Sequence, residues 1–154
     1  MKRFLLIIQI CFAFILQSSA QDHLEEPVIW NWEVTKKSDK TYEVKFVANI
    51  SKSWHIYSQN LSKDAPATPT TFSFLKNPLI LIEGKPNEIG KKIIKNEPVM
   101  NVDIAYYANK VEFVQEVKVK GNVKTNLRGT ISFQACTNTF CLPPDEKTFE
   151  LAFQ

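Results

Sequence analysis

The sequence predicts an all-β fold, an antiparallel β-sandwich of immunoglobulin-like type. Apolar and polar residues alternate with a period of two in several segments, the pattern of strands that bury one face. Turn-forming pairs such as Asn77-Pro78 and Gly121-Asn122 separate these segments. Almost no stretch of the chain has the period of an amphipathic helix. Many short strands at this spacing favour two packed sheets over any helical architecture.

The strand candidates follow from this alternation. Residues 42–50 place apolar side chains at every second position, and residues 111–120 and 130–135 repeat the pattern. Shorter candidates lie at 29–34, 54–59, 70–75, 79–83, 103–107 and 148–153. The segment 89–101 is the least regular and is predicted to be a long loop.

The N-terminus has the pattern of a secretory signal peptide. Lys2 and Arg3 precede an almost unbroken apolar run at 4–16, and Ser18 and Ala20 supply the small residues of a cleavage site. The run is too short for a comfortable membrane span. We therefore expect a chain that is exported to a compartment where disulfides persist and that keeps no membrane span after cleavage.

This pattern divides the chain into a signal peptide at 1–20, a flexible lead at 21–28 and one domain at 29–154. The full chain has a formal net charge of +3, which falls close to zero once residues 1–20 are removed. A near-neutral domain with scattered lysines argues against nucleic acid or an acidic membrane surface as a partner.

The most informative feature of the sequence is a cysteine pair, Cys136 and Cys141. The chain has three cysteines, and the third, Cys11, lies in the predicted signal peptide. The four residues between the pair fit a hairpin loop that sets the two thiols opposite each other. A disulfide across so short a loop stabilises a fold by only about 2 kcal/mol. Pro143 and Pro144 cannot donate ladder hydrogen bonds and so favour a sheet edge. Spacing and position alone leave a structural staple and a redox centre both open.

Other chemistry-bearing residues form no recognisable site. The sequence contains no nucleophile motif, paired carboxylates or phosphate-binding loop. His23 lies in the predicted lead, and His55 alternates with Trp54 and Ile56 in a strand candidate. With Met100 and the cysteines, these histidines match no metal-ligand spacing, so neither a metal nor another cofactor is expected.

Two motifs resemble the N-terminal periplasmic domain of DsbD, the thiol:disulfide interchange protein. In one, Phe-Gln-Ala-Cys at 133–136 is followed by four residues and then by Cys-Leu-Pro-Pro at 141–144. The other is Trp-His-Ile-Tyr-Ser-Gln at 54–59. The likeness runs from about Trp30 to Gln154, nearly the whole predicted domain. It implies an immunoglobulin-like sandwich whose cysteine pair is reduced by a thioredoxin-like partner and then reduces other exported thiol proteins.

The resemblance also implies roles for individual residues. Cys136 and Cys141 are the redox pair, and Cys141 is the cysteine expected to form mixed disulfides with partners. Tyr57, His55 and Phe140 match positions that line the active-site cavity in the family.

In the family, an aromatic side chain of a cap loop covers the disulfide. The matching segment here, 96–101, has no Phe. Met100 is the expected replacement, with Val99 as the second choice, because methionine can cover sulfur as a flexible apolar lid. Glu97 is the acidic residue closest to this cap.

The resemblance further implies the partners and the location. Full-length family members continue into a membrane domain and a thioredoxin-like domain, whereas this sequence ends at Gln154. We therefore expect a monomeric, periplasmic protein-disulfide reductase component, with thioredoxin-like proteins and a membrane thiol reductase as partners in trans. Two alternatives stay open: a non-catalytic immunoglobulin-like binding module with a structural disulfide, and a metal-handling domain.

Overall fold

The computed structural model describes residues 26–121 and 123–154. Every regular element in this part of the chain is a β-strand. In chain order these are β1 (Val28–Lys36), β2 (Thr41–Ile50), β3 (His55–Tyr57), β4 (Thr71–Phe74), β5 (Ile80–Ile82), β6 (Asn87–Gly90), β7 (Ile93–Glu97), β8 (Val102–Ala108), β9 (Lys110–Val119), β10 (Thr125–Phe133), β11 (Ala135–Cys136) and β12 (Asp145–Phe153). The predicted signal peptide, with Cys11, and His23 lie outside the described residues.

The strands form three sheets. The first has the order β1-β2-β9-β5, with β6 also paired to β9; the second is β12-β10-β4; the third is β11-β3-β8-β7. All of these pairs are antiparallel. The prediction of an all-β, antiparallel, immunoglobulin-like sandwich is confirmed, and every segment predicted to be a strand overlaps an observed strand.

The core lies between the first sheet and the second, where the alternating apolar residues of each strand meet. Phe46 of β2 packs on Phe149 of β12, with ring centroids 4.8 Å apart. Trp30 of β1 packs on Phe133 of β10, with ring centroids 5.4 Å apart. Gly129 of β10 has no side chain because a Cβ there would collide with the Ser73 carbonyl and the Phe149 ring. Aromatic pairs of this kind add about 0.5–1.5 kcal/mol each beyond the area they bury.

The prediction of a long loop at 89–101 is wrong. This segment contains the end of β6, all of β7 and a tight turn at 98–101. The two strands pair with β9 and β8 respectively. Ile93 and Ile94 are adjacent and most of β7 is exposed, so the strand has no buried face and no alternation that reveals it.

One further detail of the fold positions the cysteines. The predicted strand at 130–135 is broken at Gln134, which separates the core strand β10 from the short β11 that carries Cys136. The chain leaves the second sheet at the end of β10 and enters the third sheet at β11. The strand that carries Cys136 is therefore the direct continuation of a core strand.

Candidate functional site at the cysteine pair

Cys136 and Cys141 form a disulfide, with their Cα atoms 4.0 Å apart. They face each other as an isolated antiparallel bridge, as their spacing predicts. The Thr137 backbone N–H donates to the Phe140 carbonyl at 2.8 Å, and the Leu142 N–H donates to the Ala135 carbonyl at 3.0 Å. The pair thus closes a short hairpin at the end of β11.

The Thr137 side chain holds the turn of this hairpin. Its hydroxyl oxygen accepts hydrogen bonds from the backbone N–H groups of Thr139 at 3.3 Å and Phe140 at 3.2 Å. Threonine and serine hydroxyls commonly stabilise turns in this way.

Gln134 fastens the hairpin to a second loop. Its amide nitrogen donates to the Leu142 carbonyl at 3.0 Å, and its amide oxygen accepts from the Thr68 N–H at 3.4 Å. Gln134 of the first motif therefore links the disulfide hairpin to the loop at Thr68 through hydrogen bonds.

The two cysteines differ in exposure. Cys136 is 0% exposed, whereas Cys141 is an exposed residue. Cys136 belongs to β11, the edge strand of the third sheet, where pairing with β3 places it opposite His55. An incoming thiolate needs access to one sulfur of a disulfide, and here Cys141 is the cysteine open to solvent.

A cavity of about 260 Å³ opens beside Cys141 on one face of the third sheet. Side chains two residues apart in a strand share a face, and the cavity is built from such positions. Its lining comprises His55 and Tyr57 of β3, Lys95 and Glu97 of β7, Ile104 and Tyr106 of β8, Pro66, and the hairpin residues 137–141. The sequence-predicted residues Tyr57, His55, Phe140 and Glu97 are thus brought together with Cys141.

Seven residues of the cavity lining were not predicted: Pro66, Lys95, Ile104, Tyr106, Thr137, Asn138 and Thr139. Lys95 is a direct cross-strand partner of Ile104, so its place at the cavity follows from the β7–β8 register. In the sequence, Lys95 resembles any other solvent-facing lysine. The two-residue spacing between Lys95 and Glu97 is the one local indication that both share a strand face.

The structure does not bring Met100 or Val99 to the cavity. Both lie in the 98–101 turn, which extends beyond the last β7–β8 pair, Glu97 with Val102. Val99 is 88% exposed and Met100 is 52% exposed. Of the three cap candidates, only Glu97 lines the cavity. That Met100 covers the sulfur atoms stays a prediction.

The Tyr57 hydroxyl lies 3.9 Å from the Cys141 sulfur, within hydrogen-bonding distance of a sulfur atom. Burial, and secondarily the neighbouring Tyr106, raise the pKa of Tyr57 above its ordinary value. The hydroxyl therefore keeps its proton at neutral pH and can donate to a thiolate formed at Cys141.

His55 is held neutral in the same cavity. Burial first, and then the positive charge of Lys95, lower the pKa of His55 below its ordinary value of 6.5. Its ring centroid lies 4.6 Å from that of Tyr106 and 5.4 Å from that of Tyr57.

Phe140, the residue before Cys141, packs edge-to-face on Trp54, with ring centroids 5.4 Å apart. It remains 52% exposed. This places an apolar surface beside the accessible cysteine.

The described residues contain no group of three His, Cys, Asp or Glu side chains placed to bind a metal ion. Nor does this part of the chain include a helix with the length and apolar character that crossing a bilayer requires.

Together, the fold and the site define an immunoglobulin-like β-sandwich domain with a disulfide hairpin at a sheet edge. The family model of the thiol:disulfide interchange protein DsbD, N-terminal, matches residues 20–152, and the chain belongs to this family. The resemblance seen in the two motifs is confirmed.

Solved structures agree with this fold at low sequence identity. The N-terminal periplasmic domain of ScsB from Proteus mirabilis matches with a TM-score of 0.56 and 14% identity, over 82% of this chain and 47% of that one. The DsbD n-terminal domain of Neisseria meningitidis in the reduced form matches with a TM-score of 0.56 and 16% identity, over 88% and 94%. The complex between the DsbD N-terminal and PilB N-terminal domains from Neisseria meningitidis matches with a TM-score of 0.50 and 16% identity, over 85% and 88%.

This chain thus spans about half of the ScsB chain. The comparison with curated protein sequences gives no match.

Proposed function

We propose that this domain is a periplasmic thiol–disulfide exchange protein that passes electrons from a membrane or thioredoxin-like reductase to other extracytoplasmic thiol proteins. The observation that carries the proposal is the asymmetry of the disulfide. Cys141 is exposed beside a tyrosine hydroxyl, and Cys136 is buried behind it. Membership of the DsbD N-terminal family supports the same chemistry.

Reduction of the domain begins when a thiolate of a reduced partner attacks the sulfur of Cys141. A bond forms between the partner sulfur and Cys141, the Cys136–Cys141 bond breaks, and Cys136 leaves as a thiolate. The partner's second thiol, as its thiolate, then attacks the partner sulfur that is bonded to Cys141 and breaks that bond. The partner leaves as a disulfide, Cys141 leaves as a thiolate, and the two thiolates take up the protons that the partner's thiols lost.

Reduction of a target protein by the reduced cysteine pair repeats these steps in the other direction. The Cys141 thiolate attacks a disulfide of the target and forms a mixed disulfide with one target sulfur, while the other leaves as a thiolate. Cys136 then attacks Cys141, which restores the internal disulfide and releases the reduced target. Two electrons have passed from partner to target.

The cavity residues favour the thiolate that both directions require. The protonated Tyr57 hydroxyl donates a hydrogen bond to Cys141, and charge-assisted bonds of this kind are the stronger ones. No cation flanks either cysteine in sequence, but the fold brings the Lys95 ammonium to the same cavity. A nearby positive charge lowers the pKa of a thiol.

The turn that carries Val99 and Met100 is proposed to be the lid of the site. Its apolar side chains are exposed at the end of the β7–β8 hairpin, next to the strand that supplies Glu97 to the cavity. A flexible methionine lid would slow exchange with thiols other than those of a docked partner.

The proposed partners are thioredoxin-like redox proteins and a membrane thiol reductase acting in trans on a monomeric domain. Two of the similar solved structures support this assignment. The ScsB neighbour is a periplasmic domain, and a DsbD N-terminal domain has been solved in complex with a PilB N-terminal domain.

The decisive experiment measures the equilibrium reduction potential of the pair in the folded protein against a glutathione or dithiothreitol buffer. We expect a value of about −180 to −270 mV and exchange with a thioredoxin-like protein without denaturant. The matched control is the double variant Cys136→Ser/Cys141→Ser, which should fold and show no exchange. A potential below about −300 mV, with exchange only after unfolding, would identify a structural staple in a binding module instead.

A further inference from the structure

A buried carboxylate lies on the other side of the third sheet from the disulfide. Glu88 belongs to β6, which pairs with β9 of the first sheet. Its side chain is only 4% exposed. Charged side chains are rarely this buried unless they are fully paired, so the groups around Glu88 indicate what it holds.

Four groups donate to this carboxylate. Oε1 accepts from the Gln59 backbone N–H at 2.6 Å, and Oε2 accepts from the Tyr107 hydroxyl at 2.8 Å. The Ser58 hydroxyl lies 2.9 and 2.8 Å from the two oxygens, and the Lys92 ammonium is 3.2 Å from Oε2.

These contacts keep Glu88 ionised. Burial alone would raise its pKa, but the hydrogen bonds from Gln59, Tyr107 and Ser58 and the contact with Lys92 outweigh burial and hold the pKa below its ordinary value. Burial and the neighbouring carboxylate raise the pKa of Tyr107, so its hydroxyl remains a donor.

The positions of the donors connect this network to the site. Ser58 directly follows Tyr57, the last residue of β3, and Tyr107 directly follows Tyr106 in β8. Neighbouring residues of a strand point to opposite faces of the sheet. Glu88 therefore contacts β8 and the residues that directly follow β3 from behind, while Tyr57 and Tyr106 line the cavity in front.

The contact also joins two sheets. β3 and β8 are paired to each other in the third sheet, whereas Glu88 is anchored in the first sheet through β9. The carboxylate thus links the strands that carry the cavity residues to the first sheet.

We propose that Glu88 is a positioning residue for the thiol–disulfide site, which holds β3 and β8 so that the Tyr57 hydroxyl stays at the Cys141 sulfur. The inference rests on the proposed function of the cysteine pair, but its test needs no redox partner.

The test is a double-mutant cycle on the reduced full chain. The rate at which iodoacetamide alkylates Cys141 is followed against pH by mass spectrometry of the peptide that contains it. This curve gives the fraction of Cys141 present as thiolate. We expect Tyr57→Phe and Glu88→Gln each to lower that fraction at neutral pH by about fivefold, the size expected for one lost hydrogen bond. Because Glu88 acts through Tyr57, the double variant should be no lower than Tyr57→Phe alone.

The matched control is Glu83→Gln, which neutralises an exposed carboxylate of the same chain region and should leave the curve unchanged. The inference is overturned if Glu88→Gln lowers the melting temperature but not the thiolate fraction. It is also overturned if the two substitutions are additive, or if Tyr57→Phe has no effect.

If Glu88→Gln does not fold, Tyr107→Phe replaces it, because this change removes a single hydrogen bond to the carboxylate. It should shift the curve in the same direction by a smaller factor, and an unchanged curve overturns the inference. Failure of the proposed function is separately visible, as absence of exchange with a thioredoxin-like protein in the unmodified chain.

Discussion

Cys136 and His55 are direct cross-strand partners between β11 and β3. The buried half of the disulfide is therefore held by the strand that also supplies Tyr57 to the exposed half. One three-residue strand, His55–Tyr57, contacts both ends of the cysteine pair. Changes in β3 should consequently affect the disulfide even where no β3 side chain reacts.

The exposure difference between the cysteines predicts unequal single variants. Cys136→Ser retains the exposed Cys141 and should react with 5,5′-dithiobis(2-nitrobenzoate) at least about tenfold faster than Cys141→Ser, which retains the buried Cys136. Absorbance of the released thiolate gives both rates, and the double serine variant corrects for any other thiol. Equal rates would contradict the assignment of Cys141 as the attacked sulfur.

The lowered pKa of His55 predicts that the stability of the fold depends on pH. Burial and the charge of Lys95 lower its pKa below the ordinary value of 6.5, so the unfolded chain binds a proton more readily than the folded chain. The contribution of His55 to the free energy of unfolding is fully present above about pH 6.5. It is lost as the pH decreases through that value towards the folded-state pKa. Melting temperatures at pH 7.5 and 5.5 should show a smaller decrease for His55→Phe than for the unmodified protein.

The chain has two histidines, and the other, His23, provides the matched control. His23→Ala should reproduce the pH dependence of the unmodified protein. An unaltered pH dependence in His55→Phe would show that its proton is not coupled to folding.

The lid proposal makes a kinetic prediction for Met100. If this side chain covers the disulfide, Met100→Ala should speed reduction by dithiothreitol by about threefold, the loss of a modest sulfur-contact energy. Stopped-flow measurement of the reduction gives the rate. Val99→Ala, in the same turn and more exposed, should have the smaller effect. Identical rates in all three proteins would remove Met100 from the site.

The close packing at Gly129 predicts that a substitution there lowers the stability of the fold independently of the cysteines. A methyl group at this position meets the Ser73 carbonyl and the Phe149 ring, so Gly129→Ala must displace backbone or an aromatic core residue. We expect a loss of about 2 kcal/mol in the free energy of unfolding, measured by urea denaturation. Thr130→Ala, one position along the same strand, should cost less, and an equal cost would contradict the close approach of β4 and β10.

The parts of the structure that sequence predicts are those with local patterns. β2 and β9 alternate buried residues with partly buried or exposed ones over their whole lengths, so the buried face of each strand can be identified from its own sequence. The disulfide hairpin follows from a four-residue spacing. Tyr57 and Phe140 follow from motifs that resemble a family.

The rest depends on contacts between distant segments. Lys95 reaches the cavity only through the β7–β8 register, and Glu88 meets Ser58 and Tyr107 only because β6 joins β9. An exposed edge strand such as β7 has no apolar face to mark it. Its cavity residues therefore resemble ordinary loop residues until the sheet is assembled.

The short ring closed by the cysteine pair has a consequence for the whole domain. By thermodynamic linkage, the free energy with which a disulfide stabilises a fold equals the free energy with which that fold stabilises the disulfide. Because Cys136 continues directly from the core strand β10 and the ring spans a sequence separation of only 5, both quantities are small. Opening or closing the Cys136–Cys141 bond should therefore change the free energy of unfolding of the sandwich by only about 2 kcal/mol.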